Sequence, residues 1–297
     1  MYNDITANKR KTVVLIVIFT TVIIAVGWAL GQQIDSASGG IIFAVMVATV
    51  MNLVGYYKGD AVALATSGAK QVERKDNPNL YNTVENLSIA SGLLAPKVFI
   101  IDDPSPNAFA TGRDPAHASI AVTSGLLQTM NKTELEGVLA HELAHIKNFD
   151  IRVMTIVVVL VGTVMLLSDI LVRSMWFKDR RSNNDNGQAQ LVLMLIGLVL
   201  AILSPILAEL LKLAISRSRE YLADASGALL TRYPEGLASA LQKIADYDQP
   251  LKKANHATAH LFLANPFDPK VTKKFEQWFS THPPIEERIA RLRKMGN

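Results

Sequence analysis

The amino-acid sequence predicts a mainly α-helical membrane protein that carries a small β-sheet. The first observation is compositional: of the 297 residues, 49% are hydrophobic and only 19% are charged. Soluble domains carry about 25% charged residues, and the mean hydropathy here is positive, at +0.22. The second observation is a set of uncharged runs that approach the roughly 20 apolar residues needed to span a bilayer as a helix.

Two of these runs lie next to each other at the N-terminus. Residues 12–34 contain no charged side chain, and three basic residues, Lys9, Arg10 and Lys11, come directly before them. The run is longer than the roughly 7–15-residue apolar core of a cleaved signal peptide, so we interpret it as an uncleaved anchor. A second uncharged run covers residues 36–57. The short connection between them predicts a transmembrane hairpin.

The rest of the chain alternates between polar and apolar segments. An apolar run at 153–172 is interrupted by Asp169, and a run at 191–208 ends at Glu209, with a polar loop at 173–190 between them. We therefore divide the chain into four parts: an N-terminal hairpin (1–57), the first part of a soluble domain (58–150), a second pair of apolar helices (151–214) and the second part of the soluble domain (215–297).

Basic residues near the spans indicate the orientation, because cytoplasmic loops are enriched in Lys and Arg. The basic N-terminus is expected in the cytoplasm, which also places residues 58–150 there. The loop at 173–190 opposes this trend, since four basic residues lie in it. We predict four spans with 173–190 outside the cell. Whether the second pair crosses twice or not at all, 58–150 and 215–297 share one compartment.

Within the soluble segments the patterns are those of a mixed α and β domain. Residues 58–91 favour a helix with a break near Pro78. Runs of β-branched and aromatic residues bounded by Pro and Gly predict short strands, at 97–102, 108–111 and 119–123. Thr133 is expected to open the next helix, with Glu136 three residues later completing a capping box.

That helix carries the motif HExxH at residues 141–145. His141 and His145 lie four residues apart and therefore on one helical face, where two imidazoles can bind one zinc ion. Glu142 is placed to take a proton from water that the ion activates. A bare HExxH also occurs by chance, as two surface histidines beside a glutamate. The apolar residues around this HExxH motif place it on a half-buried helix. Charged side chains are costly to bury there unless they are paired or bind a metal.

A catalytic zinc site needs a third protein ligand. The chain has no cysteine, which excludes disulfides, thiolate metal sites and a cysteine nucleophile, so the ligand must be His, Asp or Glu. Glu220 and Asp224 lie on one face of a predicted helix. Glu220 can complete the site, and Asp224 can accept the outer N–H of a ligand histidine. The alternative is a solvated helix in which both carboxylates pair with Arg217 or Arg219.

Further motifs follow in order along the chain: PNAFATG at 106–112, HELAH at 141–145, SREYxxD at 218–224 and THPPIEER at 281–288. With the hairpin and the two later apolar runs, they resemble the HtpX-type membrane zinc metalloproteases, relatives of the CAAX prenyl endoproteases. The resemblance covers nearly the whole chain. It implies a gluzincin-like fold, one zinc ion per chain, and quality control of damaged or misassembled membrane proteins.

The resemblance also implies roles for residues that the patterns alone leave undefined. It makes 107–111 an active-site edge strand, which would offer backbone groups of Asn107, Ala108, Phe109 and Ala110 to an extended substrate. Otherwise, the segment is an ordinary sheet edge. His282 would donate to the oxyanion, although it could equally cap or pack at a helix start. His256 and His260 are also four apart but lack a carboxylate between them, so we expect a structural pair.

We conclude from the sequence that the protein is a membrane-bound zinc endopeptidase whose catalytic domain faces the cytoplasm from the plasma membrane. Its expected partners are protein substrates, among them membrane proteins, and the lipid bilayer. The net charge of +4 is too small and too scattered for nucleic acid. One alternative function is a zinc-binding membrane scaffold or sensor that does not cleave peptide bonds, but such a site would not need Glu142 as a base. The other is a metal transporter, but no histidine lies within an apolar run.

Overall fold

A computed structural model of the chain describes residues 2–32, 36–179, 216–247, 249–267 and 283–296. The protein is mainly helical, as predicted, with one small sheet. The described α-helices, in chain order, are α1 (Tyr2–Gln32), α2 (Ala37–Thr66), α3 (Pro78–Ser91), α4 (Ser124–Thr129), α5 (Lys132–Lys147), α6 (Asp150–Asp179), α7 (Arg217–Thr231), α8 (Pro234–Asp246) and α9 (Ile285–Met295). Short 3-10 turns occur at Pro115–His117 and Ala259–Leu261.

The predicted N-terminal hairpin is formed by α1 and α2. Both are long and apolar enough to cross a membrane, at Ile5–Trp28 and Ala37–Thr66. Their backbones approach closely, because a Cβ added at Gly40 would lie only 2.2 Å from the carbonyl oxygen of Gly27. Small residues at such crossings are typical of helix pairs in membranes, where close packing drives association.

The third apolar run lies within α6, which continues past residue 172 to Asp179. The part Asp150–Leu166 of this helix meets α5 at 84°. Val153, Val157 and Leu160 are buried in one cluster with Leu15 and Phe19 of α1, so α6 is packed against the hairpin. The predicted fourth run, 191–208, and most of the loop 173–190 lie outside the described residues.

The described strands form one sheet in the order β1-β2-β4-β3. The members are β1 (Ala69–Gln71), β2 (Lys97–Ile101), β3 (Ala108–Gly112) and β4 (Ala118–Thr123). The three predicted strands are confirmed as β2, β3 and β4. β2 and β4 run parallel, whereas the other two pairs are antiparallel. β3 therefore lies at an edge of the sheet.

The prediction of a helix over 58–91 was wrong in part. α2 does not stop at the end of the apolar run but continues to Thr66, and β1 follows it. Gly68 has a positive φ of 69°, the left-handed conformation that commonly ends a helix. The break near Pro78 is confirmed: α3 begins there, and the side chain of Asn77 accepts a hydrogen bond from the backbone N–H of Leu80.

The capping box of α5 lies two residues earlier than predicted. The N-terminal cap is Asn131 rather than Thr133. The carboxylate of Glu134, rather than that of Glu136, accepts a hydrogen bond from the backbone N–H of Asn131 at 2.8 Å. The Glu134 carboxylate also accepts from Ser239 Oγ at 2.6 Å and Lys243 Nζ at 2.7 Å, both on α8. The cap thus joins the start of α5 to a neighbouring helix.

Glu134→Gln is expected to lower the free energy of unfolding by about 1–3 kcal/mol, because a buried charge-assisted network loses its acceptor. Burial alone would raise the pKa of Glu134, but Lys243, Ser239 and the Asn131 N–H hold it below the usual value. A lowered folded-state pKa means that this stability is present above the ordinary carboxyl pKa and is lost as the pH falls below it. Thermal melting of both proteins in detergent between pH 3 and 7 measures the effect.

Glu136→Gln is the matched control, since Glu136 is partly exposed and forms only a 3.9 Å surface pair with Lys132. Such pairs contribute roughly 0–1 kcal/mol. Equal melting curves for the two variants would contradict the structural role of Glu134.

The core places α5 at the centre of the soluble part. Val138, Leu139, Leu143 and Ile146 of this helix are at most 1% exposed, and they share one cluster with residues of the sheet, α3, α8 and α9. At Gly137 a Cβ would lie 2.6 Å from the backbone nitrogen of Leu237 on α8. The HExxH helix is therefore held rigidly between the sheet and α8.

Candidate metal centre

Two packed helices bring the predicted ligands together. His141 and His145 share one face of α5, and Glu220 and Asp224 share one face of α7. The helices approach closely beside the site, because a Cβ at Gly227 would be 3.0 Å from the backbone nitrogen of His141. All four side chains are buried, each at most 4% exposed.

His141, His145 and Glu220 form the one group of potential metal ligands found among the described residues. The two Nε2 atoms lie 3.1 Å apart. Oxygens of Glu220 lie 3.5 Å from Nε2 of His145 and 3.9 Å from Nε2 of His141. Ligands each about 2.1 Å from a tetrahedral zinc ion are separated by roughly 3.4 Å. The three side chains therefore fit one ion between them.

The outer ring nitrogens support the same interpretation. Nδ1 of His141 lies 3.0 Å from Asp224, and Nδ1 of His145 lies 3.1 Å from Asp150. A carboxylate on the outer nitrogen fixes the ring and leaves Nε2 as the lone-pair donor for a metal. Both histidines are arranged in this way. The sequence reasoning identified Asp224 but missed Asp150.

Arg288 of α9 is a second residue that the sequence reasoning missed. Its guanidinium is fully buried and binds Asp224 in a bidentate manner, at 2.9 Å from Nε and 2.7 Å from Nη2. It also donates to the carbonyl oxygen of Leu263 at 3.2 Å and lies 3.5 Å from Glu220. Arg288 thus neutralises the two carboxylates of α7. Arg288 is the last residue of the motif THPPIEER, but that pattern does not indicate that its side chain is buried.

Arg288→Met is expected to destabilise the metal-free protein by roughly 3–5 kcal/mol, because it leaves buried carboxylates uncompensated. Arg288→Lys is expected to restore only part of this loss, since a lysine lacks the planar fork that binds both oxygens. The melting temperature of each variant in detergent measures the effect.

Arg291→Met on the same helix is the control. Arg291 is half-exposed and pairs with Glu287 at the surface, so its loss is expected to change stability by less than about 1 kcal/mol. A fall in melting temperature for Arg288→Met no larger than that for Arg291→Met would show that the buried pair does not stabilise the site.

Glu142 lies beside the edge strand and is 2% exposed. The backbone N–H of Ala110 in β3 lies close to this carboxylate and favours its charged form. Burial raises the pKa of Glu142 to about 7, with the charge of Glu220 acting in the same direction and those of His145 and Arg288 opposing it. A carboxylate whose pKa lies near neutral pH is suited to general-base catalysis.

The neighbouring groups have shifted pKa values as well. Burial would raise the pKa of Asp224, but Arg288 and His141 lower it to about 2. Burial lowers the pKa of His141, and the charges of His145 and Arg288 act in the same direction. For His145, burial is outweighed by Asp150 and Glu220, and the pKa rises to about 9. A metal must displace the proton of His145, so metal affinity is expected to fall as the pH falls.

The predicted edge-strand residues lie next to this site. Some backbone groups on the outer edge of β3 already have hydrogen-bond partners. The carbonyl oxygen of Ala108 accepts from the N–H of Leu263 at 2.9 Å, and the N–H of Gly112 donates to Oγ1 of Thr155 at 3.0 Å. The Asn107 side chain donates to the carbonyl of Ala264 at 3.0 Å. Phe109 packs edge-on against Phe262, and the backbone N–H of Ala110 lies close to the Glu142 carboxylate.

The other histidines do not join the site in the described structure. His260 is buried and contacts the carbonyl oxygen of Met154 at 2.9 Å, whereas His256 stacks on Phe267. The two histidines have separate partners, and their expected structural or surface role stays a prediction. His282 lies outside the described residues.

A pocket of about 410 Å³ lies between α3, α5 and α7. Its lining includes Leu143, Leu222 and Leu229 but none of the residues of the metal site. The pocket is therefore separate from the metal centre.

Comparisons with known proteins agree with this geometry. Residues 74–296 match the model of peptidase family M48. The chain is 49% identical to the "Protease HtpX homolog" of Dictyoglomus turgidum, over 99% of this chain and 95% of that protein. It is 47% identical to that of Tropheryma whipplei, over 100% and 99% of the two chains.

Among solved structures, the chain is similar to the crystal structure of S. mikatae Ste24p, with a TM-score of 0.52 and 19% identity over 98% of this chain and 67% of that chain. At this identity the likeness concerns the fold. The family resemblance and the fold class expected from the motifs are confirmed.

Proposed function

The chain belongs to peptidase family M48 and is a membrane metalloprotease, and we propose that it is a zinc endopeptidase acting at the cytoplasmic face of the plasma membrane. We propose misfolded or membrane-embedded proteins as its substrates and protein quality control as its role. The observation that carries the chemistry is the pair of Nε2 atoms facing each other beside Glu220, each ring being held by a carboxylate.

His141, His145 and Glu220 hold the ion in this proposal. Two imidazoles and one carboxylate, with no cysteine in the chain, are a typical ligand set for catalytic zinc. When bound, zinc supplies a Lewis acid that polarises the peptide carbonyl and makes water more acidic. Asp224 and Arg288 do not bind the ion in this proposal. The carboxylate of Asp224 orients His141, and the guanidinium of Arg288 keeps that carboxylate charged and in place.

Glu142 performs the proton transfers. Its carboxylate takes a proton from the attacking water and gives it to the nitrogen of the leaving amine. The nearby N–H of Ala110 favours the charged form of this side chain. His282 is proposed as a donor to the developing oxyanion.

Substrate is proposed to bind as an added strand on β3, through Asn107, Ala108, Phe109 and Ala110. Support comes from the position of β3 at the sheet edge and from the proximity of the Ala110 backbone N–H to Glu142. A peptide bound there would lie beside the carboxylate that moves the proton.

Membrane substrates are supported by the position of the site. Asp150 contacts His145 at 3.1 Å, and the apolar run within α6 begins only three residues later. The metal ligands are therefore next to a helix that packs on the transmembrane hairpin. A polypeptide segment that emerges from the bilayer would therefore lie close to the metal ligands.

The topology is open to a direct test, because the chain has no cysteine of its own. With a single cysteine at Asn183 or Thr231, a membrane-impermeant thiol reagent added to intact cells is expected to label position 183 and not position 231. Labelling of neither before lysis and both after it would show that the second pair of runs does not cross. Labelling of position 231 in intact cells would invert the proposed orientation.

Metal removal tests the proposed chemistry. Purified protein in detergent is expected to cleave an unfolded protein substrate, to lose that activity with 1,10-phenanthroline, and to recover it with one equivalent of Zn²⁺. Mg²⁺ is expected not to restore it, because this ion prefers all-oxygen octahedral sites. Full cleavage by protein shown to be metal-free would refute the proposal.

A further inference from the structure

A buried asparagine on the first membrane helix contacts the metal site. Asn8 lies near the start of the candidate span Ile5–Trp28 of α1, four residues before the uncharged run that begins at Thr12, and is 3% exposed. Its amide nitrogen donates to the carbonyl oxygen of Asn148 at 2.9 Å and to Oδ1 of Asp150 at 2.7 Å. Both hydrogens of the amide are thereby used, on residues about 140 positions away in the chain.

Asp150 is the centre of this network and is 5% exposed. Its Oδ2 lies 3.1 Å from Nδ1 of His145, while Oδ1 accepts from Asn8 and from the guanidinium of Arg219 at 2.8 Å. One oxygen therefore faces the ligand histidine, and the other is held by two donors. With Oδ1 fixed in this way, the direction of Oδ2 toward the imidazole is fixed as well.

The backbone next to Asp150 adopts an unfavourable conformation and needs contacts that stabilise it. The turn between α5 and α6 passes through Phe149, whose φ is 60°, a conformation that costs a non-glycine residue of order 1–3 kcal/mol. Residues of α1 cover this turn: Asn8 binds the carbonyl of the residue before Phe149 and the side chain of the residue after it. Lys9 Nζ lies 5.2 Å from the centre of the Phe149 ring.

We propose that Asp150 positions His145 for the metal and that Asn8 of α1 holds Asp150 in that position. The first membrane helix is then part of the metal site as well as an anchor. This inference rests on the proposed function, since it assumes that His145 binds the ion. A carboxylate behind a ligand histidine typically contributes 10–100-fold to metal affinity or activity.

The test uses full-length protein in detergent and measures the dissociation constant for Zn²⁺ by competition with a chromogenic chelator. We expect Asp150→Asn to weaken binding by roughly 10–100-fold and Asn8→Ala by about 10-fold. The visible absorption of the Co²⁺-loaded protein is expected to change in both variants, since it reports the geometry at His145.

Asn52→Ala is the matched control. Asn52 of α2 also binds α1 through its side-chain amide, to Thr20 at 2.9 Å, but Thr20 lies roughly 18 Å beyond Asn8 along that helix. Loss of the Asn52 amide is expected to leave Zn²⁺ affinity within about 2-fold of wild type, whatever it does to the melting temperature.

The double variant Asn8→Ala with Asp150→Asn separates positioning from general destabilisation. If Asn8 acts through Asp150, its loss adds little to the weakening of Zn²⁺ binding once Asp150 is already changed, because coupled residues are not additive. If the two effects simply multiply, or if Asn8→Ala binds Zn²⁺ as wild type does, the inference is wrong.

Failure of this inference is distinguishable from failure of the proposed function. Glu220→Gln serves as the reference in the same titration. If Glu220→Gln loses Zn²⁺ while the Asn8 and Asp150 variants bind normally, only the positioning network is refuted. If wild type and Glu220→Gln bind Zn²⁺ equally, the metal site itself is refuted, and this inference with it.

Discussion

Glu142→Gln is expected to cleave substrate roughly 10²–10⁴-fold more slowly than wild type while retaining one metal ion per chain. Glutamine has nearly the same shape as glutamate, so the site is expected to keep its structure. The amide cannot take a proton from water, and this step alone is lost. Initial cleavage rates and metal content, measured on the same preparations, give the result.

The control for this prediction is Glu136→Gln on the same helix, which removes a partly exposed carboxylate without contacting the site. It is expected to cleave at the wild-type rate. A Glu142→Gln protein that cleaves as fast as this control would show that another group is the base.

Glu220→Gln is expected to weaken zinc binding by more than about 100-fold, and cleavage is expected to fall with it at limiting metal. The change removes a ligand that lies 3.5 and 3.9 Å from the two Nε2 atoms. Equilibrium titration with Zn²⁺ against a chelator of known affinity measures the loss.

Asp224→Asn provides the comparison, because it touches the same site without being a ligand. Loss of an orienting partner is typically worth about 10–100-fold, so its effect on zinc affinity is expected to be smaller than that of Glu220→Gln. The reverse order would make Asp224 the ligand and Glu220 the orienting group. Unchanged zinc affinity in Glu220→Gln would exclude it from the metal site.

Features that depend on spacing along one element were predictable from the sequence. His141 with His145, and Glu220 with Asp224, are each four residues apart, so any helix places each pair on one face. The strand at 108–111 was likewise visible as a short β-branched and aromatic segment between turn residues, whereas its position at a sheet edge was implied only by the family resemblance. The proposed ligand set was inferred from these local patterns and from the absence of cysteine.

The capping box shows where local patterns become ambiguous. Asn131 with Glu134 and Thr133 with Glu136 have the same spacing, and both satisfy the local rule. The protein uses Asn131 because Ser239 and Lys243 of α8 bind Glu134. These partners lie more than 100 residues away, and no local pattern connects them to α5.

Asp150, Arg288 and Asn8 were missed for the same reason. Asp150 reaches His145 only because the chain turns through a left-handed Phe149, which sequence patterns do not predict for this residue type. Arg288 meets Asp224 across 64 residues, and Asn8 meets Asp150 across 142. Pairing of buried polar groups over such distances depends on the packed fold.

X-ray absorption at the zinc edge of the purified wild-type protein tests the central claim most directly, because it counts the atoms around the ion. We expect one zinc per chain with two imidazole nitrogens and the remaining positions filled by oxygen, at about 2.0–2.2 Å. Loss of one imidazole in His145→Ala would identify the ligand. A spectrum with three or more imidazoles, or a protein that cleaves substrate without bound metal, would contradict a site made by His141, His145 and Glu220.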